Sequence, residues 1–164
     1  MVAVYPAFSS GPESDETGIV VAGGDEAGEV YVLADYTLRG TPREWAECVA
    51  SAYHRHGADR VVVETNQGGD LTVANLRTVD PRRLIPIEKV HATRGKQLRA
   101  QPVASLAEQG RLHIVGAMPE LEDQLCEWCP GDPSPERLDA MVYAVTSVAL
   151  GRPTPRPVQV FRYR

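Results

Sequence analysis

Arg60-Val61-Val62-Val63-Glu64 sets three β-branched residues in an unbroken row. A strand that is apolar on both sides has to be covered on both sides, so the chain must build a layered α/β structure. Three β-prone runs precede it: Val2–Pro6, Thr17–Gly23 and Glu29–Tyr36. The Ser/Gly/Pro/acid loop from Ser9 to Glu16 and the turn Gly24–Gly28 separate them. Connections this short predict antiparallel neighbours. A helix then opens at Thr41 with Pro42 in its first position and Glu44 completing a capping box, and Gly57 closes it. Beyond the valine strand, helices and strands alternate. A helix is expected over 70–78, a strand from Leu84 to Val90 with Pro86 marking an edge or irregularity, and a helix over 95–109 closed by Gly110. Arg111–Val115 follows as a strand, 119–128 as a helix, and a last helix runs to Leu150, with Ser134 as its cap and Pro135 at its first position. Antiparallel strands followed by alternating helices and strands predict an α/β sandwich around a mixed sheet.

The 164 residues (17.9 kDa) suffice for one domain, assigned to 1–150, with a Pro/Arg-rich tail over 151–164. No apolar run reaches the length of a membrane span, and residues 1–20 lack the basic-then-apolar order of a signal peptide, so a cytoplasmic protein without a membrane partner is expected. Cys48, Cys126 and Cys129 form an odd set that suits a reducing compartment. Cys126-Glu-Trp-Cys129 has the spacing of a zinc or redox pair, but no second CxxC or HxxxH accompanies it; buried or half-buried thiols are expected. The net charge of −5 argues against a uniformly basic polyanion binder, yet it is unevenly placed. Residues 76–100 carry seven basic and two acidic side chains, and the tail carries four arginines. Such segments suit a protein that touches phosphates along one edge.

Two acids stand in apolar surroundings. Asp139 interrupts the apolar face made by Leu138, Met141, Val142, Val145 and Val148, one turn into the last helix, where an aspartate also suits the helix dipole. Glu64 ends the valine strand, and strand ends facing a crevice are where α/β sheets place functional groups. Two carboxylates brought together can hold a hard divalent cation with substrate phosphate completing its shell.

The stretches Val2–Pro6, Asp15–Gly23, Val63–Asp70, Arg94-Gly-Lys-Gln-Leu-Arg99, Glu108–Arg111 and Ser134–Ala144, in this order, resemble the nuclease domain of phage terminase large subunits. The resemblance implies an RNase H-like fold, with a mixed five- to six-stranded sheet of three antiparallel strands and then parallel strands, flanked by helices. It implies a metal-dependent endonuclease that cuts concatemeric viral double-stranded DNA during genome packaging, in a bacterial host. Implied partners are the terminase ATPase domain, the small terminase subunit and the portal; nothing in this chain resembles a Walker A loop, so the motor is not encoded in it. The family places acids on the first strand, at the end of the strand after the first helix, and in the last helix. Glu64 matches the second and Asp139 the third, both as ligands of Mg²⁺ or Mn²⁺ in a two-metal site.

The first acid falls on Tyr5, where the family reads Asp-Pro and this chain reads Tyr-Pro. A neutral phenol supplies neither the charge nor the bidentate reach needed to bridge two ions. Tyr5 is compatible with a natural loss of activity, an engineered knockout, or a site rebuilt around one metal. Asp15, Glu16, Asp70 and Asp132 are candidate substitutes for the missing acid. Arg94, Lys96 and Arg99 are the expected DNA contacts, with Gly95 permitting close backbone approach. The alternative to an endonuclease is a catalytically inactive nuclease-like domain that binds DNA or terminase partners; a resolvase-like nuclease is a more distant option.

Overall fold

The computed structural model describes residues 1–6, 16–65, 69–91, 96–129, 131–132 and 135–150. Among them, β1 (Val2–Tyr5), β2 (Gly18–Gly24), β3 (Val30–Asp35), β4 (Val61–Glu64), β5 (Ile87–Val90) and β6 (Leu112–Ile114) form one sheet in the order β5-β4-β1-β2-β3-β6. As expected, β1, β2 and β3 are antiparallel neighbours, while β4 joins β1, β5 joins β4 and β6 joins β3 in parallel. Only β2 therefore runs against the other strands. The carboxyl ends of β1, β3, β4, β5 and β6 share one edge of the sheet.

Side-chain alternation sorts the strands into two faces. Val2, Val4, Ile19, Val21, Val61 and Val63 pack with Trp45, Val49 and Ala52 of α1 (Pro42–Arg55) and Leu76 of α2 (Gly69–Val79). Ala3, Val20, Ala22, Val30 and Val32 pack on the other face with Leu138, Met141, Val142 and Val145 of α5 (Glu136–Ala149). Val103 of α3 (Lys96–Glu108) and Leu121 of α4 (Pro119–Glu127) extend that second layer. All four residues of β4 are buried, as the valine row requires. Each valine taken out of water there contributes about 1.5–3 kcal/mol.

The first helix forms as its sequence dictates. Glu44 N donates to Thr41 Oγ1 at 3.3 Å, Thr41 N donates back to Glu44 Oε2 at 2.7 Å, and Gly57 adopts φ +54° just beyond the helix. The last helix begins differently from expectation. Pro135 is its N-cap, not its first residue, because ψ 154° at Pro135 keeps that residue extended; Ser134 lies outside the described residues. The strand expected from Leu84 is shorter, since Pro86 has no N–H to give and pairing proper starts at Ile87. The thiols also differ: Cys48 is half-buried, and its thiol pKa is raised by that burial, but Cys126 and Cys129 are exposed. They lie at and just beyond the end of α4, where Leu121 is the buried residue of the helix. The tail over 151–164 lies outside the described residues.

Two glycines of β2 fix the path of α5. A Cβ at Gly18 would run into the Glu136 carbonyl and stand 2.9 Å from Ala140 Cβ; one at Gly24 would stand 2.7 Å from Val148 Cγ1. Gly18→Ala should therefore cost about 2–3 kcal/mol as an overpacked contact and lower Tm by roughly 4–10 °C. Gly23→Ala, whose Cβ would meet Leu33 Cδ1 at an ordinary 3.5 Å, serves as the control and should melt within a few degrees of the parent. Thermal melts giving equal losses for both variants would contradict this seating of the helix.

Candidate functional site

Tyr5 and Glu64 end neighbouring parallel strands. The pairing Val2↔Val61, Ala3↔Val62, Val4↔Val63 leaves Tyr5 and Glu64 as the next residue of each strand. Alternation turns both toward the α5 face, because Val4 and Val63 belong to the opposite one. Across β1, Tyr5 pairs with Gly18, the glycine on which the first turn of α5 rests. The same contact that seats the helix thus brings Asp139 to the edge where Tyr5 and Glu64 end. Glu64 is 4% exposed and Asp139 3%, so both carboxylates are held within the protein.

Tyr143 marks their meeting point. It follows Asp139 by four residues, one turn along the same face of α5. Its ring stacks on Tyr5 at 6.1 Å between centroids with 23° between planes. From the other side the Arg99 guanidinium lies 5.1 Å from the ring centroid and donates through Nη1 to the Tyr143 hydroxyl. Burial pushes the pKa of this hydroxyl well above the usual phenol range; the charge of Arg99 opposes that rise, and Glu64, Asp139 and Tyr5 reinforce it. One acid from a strand, one acid from a helix, a second phenol and a guanidinium therefore all act on the Tyr143 side chain.

The start of α5 is clamped independently. Arg137 Nε binds Asp35 Oδ2 at 2.9 Å, and its Nη1 binds Glu16. Asp35 ends β3 and also accepts from Thr37 N at 2.9 Å. With Arg137 and Asp35 only 13% and 10% exposed, this ion pair is largely dry. It lies two residues from Asp139 and fixes the turn that carries it.

Tyr5, Glu64 and Asp139, whose common site only the family resemblance implied, lie at the ends of β1 and β4 and in the first turn of α5. Arg94 and the side chain of Lys96 lie outside the described residues. Arg99, expected on DNA, is turned inward onto Tyr143. Of the candidate substitute acids, Glu16 is engaged by Arg137, Asp70 is an exposed partner of Lys89 at 2.5 Å, and Asp132 is exposed; Asp15 lies outside the described residues. The roles of Tyr143, Arg137 and Asp35 were not foreseen. Tyr143 had a local signal, a polar aromatic one turn from Asp139 within an apolar face. Arg137–Asp35 had none, since its partners are 102 residues apart.

Two carboxylates at one edge fit a single hard cation with water and phosphate completing its shell. They do not supply the third acid of a two-metal site, and among the described residues no cluster of three His, Cys, Asp or Glu side chains suited to a metal exists. The first-strand position is filled by a ring stacked on another ring.

Two measurements test this geometry. Arg137→Gln leaves Asp35 and Glu16 without their cation and should cost about 3 kcal/mol, read by urea denaturation; a loss below 1 kcal/mol would mean the clamp does not hold the helix. Tyr143 titrates near 10.0 in an unfolded chain and higher when folded. Its neutral form is therefore favoured by folding, so its contribution is complete below pH 10 and is lost as pH rises beyond it. Tyr143→Phe keeps the ring and should flatten the fall of Tm above pH 10; an unchanged slope would show that the hydroxyl is not buried as described.

No curated protein matches this sequence. Among solved structures, the large terminase nuclease from thermophilic phage G20c is similar at 15% identity with a TM-score of 0.58, over 90% of this chain and 81% of that one. Thermus thermophilus RuvC is similar at 15% identity with a TM-score of 0.52, over 91% and 94% of the two chains. A second structure of T. thermophilus RuvC, in complex with Holliday junction substrate, gives 16% identity and 0.50 over 92% and 97%. These likenesses establish an RNase H-like fold. The sequence model of the terminase RNase H-like domain matches residues 3–147, and the chain belongs to that family.

Proposed function

We propose that this chain is a metal-dependent DNA endonuclease domain of a genome-packaging terminase, with cleavage slowed by the replacement of its first-strand acid. The observation that carries this reading is that Glu64, at the end of β4, and Asp139, in the first turn of α5, are both buried and both act on the Tyr143 hydroxyl. Membership of the terminase RNase H-like family and the likeness to a large terminase nuclease support hydrolysis of a phosphodiester. The RuvC complex with a Holliday junction supports duplex DNA as the substrate class. By the same resemblance the chain would work in the cytoplasm of a bacterial host, beside a packaging ATPase, a small terminase subunit and a portal.

Glu64 and Asp139 would hold one Mg²⁺ or Mn²⁺, which when bound neutralises phosphate charge and lowers the pKa of water. The chain's own residues do the rest. The two acids would hold the cation to which the scissile phosphate is drawn, and the packed rings of Tyr5 and Tyr143 form an apolar wall that keeps bulk water from that side. Hydrolysis forms a bond from water oxygen to phosphorus and breaks the bond from phosphorus to one ribose oxygen, which leaves with a proton. A carboxylate at position 5 would be a third acid able to hold a cation; the Tyr5 phenol contributes no such charge. The Tyr5–Tyr143 stack favours a second reading, in which the domain holds DNA and its packaging partners without cutting.

Plasmid nicking in Mn²⁺ separates the readings. The parent chain should nick slowly, Glu64→Gln not at all, and Tyr5→Asp at least about tenfold faster than the parent, one factor of ten being about 1.4 kcal/mol of barrier. Parent activity unaffected by Glu64→Gln would refute the site. A folded, DNA-binding Tyr5→Asp that remains inert would favour the non-cutting reading. DNA affinity measured between 50 and about 200 mM salt should fall steeply; a flat response would remove DNA as the partner.

A further inference from the structure

Arg99 stands in the wrong place for a residue that only grips DNA. It projects from α3 onto α5, its guanidinium 5.1 Å from the Tyr143 ring centroid and its Nη1 on the Tyr143 hydroxyl. Tyr143 lies one turn from Asp139 and stacks on Tyr5, whose strand neighbour is Glu64. We propose that Arg99 is the built-in counter-cation of the Glu64–Asp139 pair, bracketed in place by Tyr143, and that it competes with the divalent cation those acids would hold. The competition rests on reading the acids as metal ligands; the counter-cation does not.

The physical case begins with burial. Two carboxylates withdrawn from water need compensating positive charge close by. Arg99 donates to the Tyr143 hydroxyl and lies on its ring, and Glu64 and Asp139 both act on that same hydroxyl with opposite sign. The guanidinium cannot discharge itself by losing a proton, so its charge is permanent. Its Nε is buried and finds no acceptor among the described residues. The group is therefore held by the ring, the hydroxyl and the surrounding field, not by a full set of hydrogen bonds. Lysine would keep the charge but lose the planar contact with the ring. A divalent cation entering the same pocket meets Arg99 as a like charge, and like charges in a poorly solvated pocket repel more strongly than in bulk water.

A double-mutant cycle read without metal tests the counter-cation. In EDTA, Arg99→Gln should lower Tm by about 5 °C, and combining it with Asp139→Asn should restore much of that loss, so the two effects do not add. Additive losses overturn the counter-cation whatever the metal does. Calorimetric titration with Mn²⁺ alone tests the competition: Arg99→Gln should bind about tenfold more tightly than the parent, Arg99→Lys close to the parent. Equal or weaker binding by a folded Arg99→Gln overturns the competition. Should Arg99→Gln not fold, Tyr143→Phe, which removes the bracket's hydroxyl and keeps its ring, is expected to tighten Mn²⁺ binding to a lesser degree, and no tightening overturns the competition. Absence of Mn²⁺ binding in every variant, with a non-additive cycle, refutes the metal reading and with it the competition, and leaves the counter-cation standing.

Discussion

The close approach of α5 to β2 is the constraint on which the site depends. A helix lies against a sheet at the distance its side chains allow, and at Gly18 there is none on the strand. The Glu136 turn therefore sits directly on the backbone that pairs with Tyr5. A side chain at Gly18 would lift the whole first turn, and Asp139 with it. Arg137 adds direction to proximity by tying that turn to Asp35 at the end of β3 and to Glu16 before β2. The glycine sets depth and the ion pair sets rotation. Together they deliver a carboxylate from the last helix to the end of a strand formed some seventy residues earlier in the chain.

The tyrosine at position 5 changes what this frame can do without changing the frame. A phenyl ring is larger than a carboxylate and brings apolar surface, and the pocket accommodates it by stacking it on Tyr143. The stack adds contact area and a modest aromatic preference, so the substitution is compatible with a stable fold. It also alters the charge count. With an acid there, the pocket would hold three carboxylates against Arg99; with the phenol it holds two. Fewer buried negative charges need less compensating positive charge at this edge.

Much of the architecture was legible because it rests on local rules. The valine row demanded cover on both faces, Thr41-Pro42-Arg43-Glu44 announced its own cap, and short Gly-rich connections made antiparallel neighbours. Glu64 and Asp139 were legible for a related reason: each is a charged residue where the pattern requires an apolar one. The structure added what no local rule contains. Gly18 reads as an ordinary strand glycine until α5 lies on it, and Arg137 finds its acids across more than a hundred residues of chain. The N-cap of α5 moved by one position because proline at either place satisfies the same φ, and only ψ decides.

Charge shows most plainly how sequence proximity misleads. The basic run over residues 76–100 is contiguous in the chain but not in space. Arg77 is bound to Asp80 at 2.7 Å and to the Ile85 carbonyl, at the far end of α2 and before β5 begins. Exposed Arg82 and Arg83 lie in that same connection, at the sheet edge opposite Glu64, because β5 runs toward the Glu64 edge and these residues precede it. Lys89 does reach the Glu64 edge, yet it arrives paired with Asp70. Arg99 reaches the pocket itself and turns inward. Phosphates approaching Glu64 and Asp139 thus meet a field in which much of the described positive charge is already engaged. A charge bound to an internal acid contributes little to long-range attraction, since the pair is nearly neutral beyond a Debye length. Release of Lys89 from Asp70 is therefore what would add unpaired positive charge at this edge and make it more attractive for DNA phosphates.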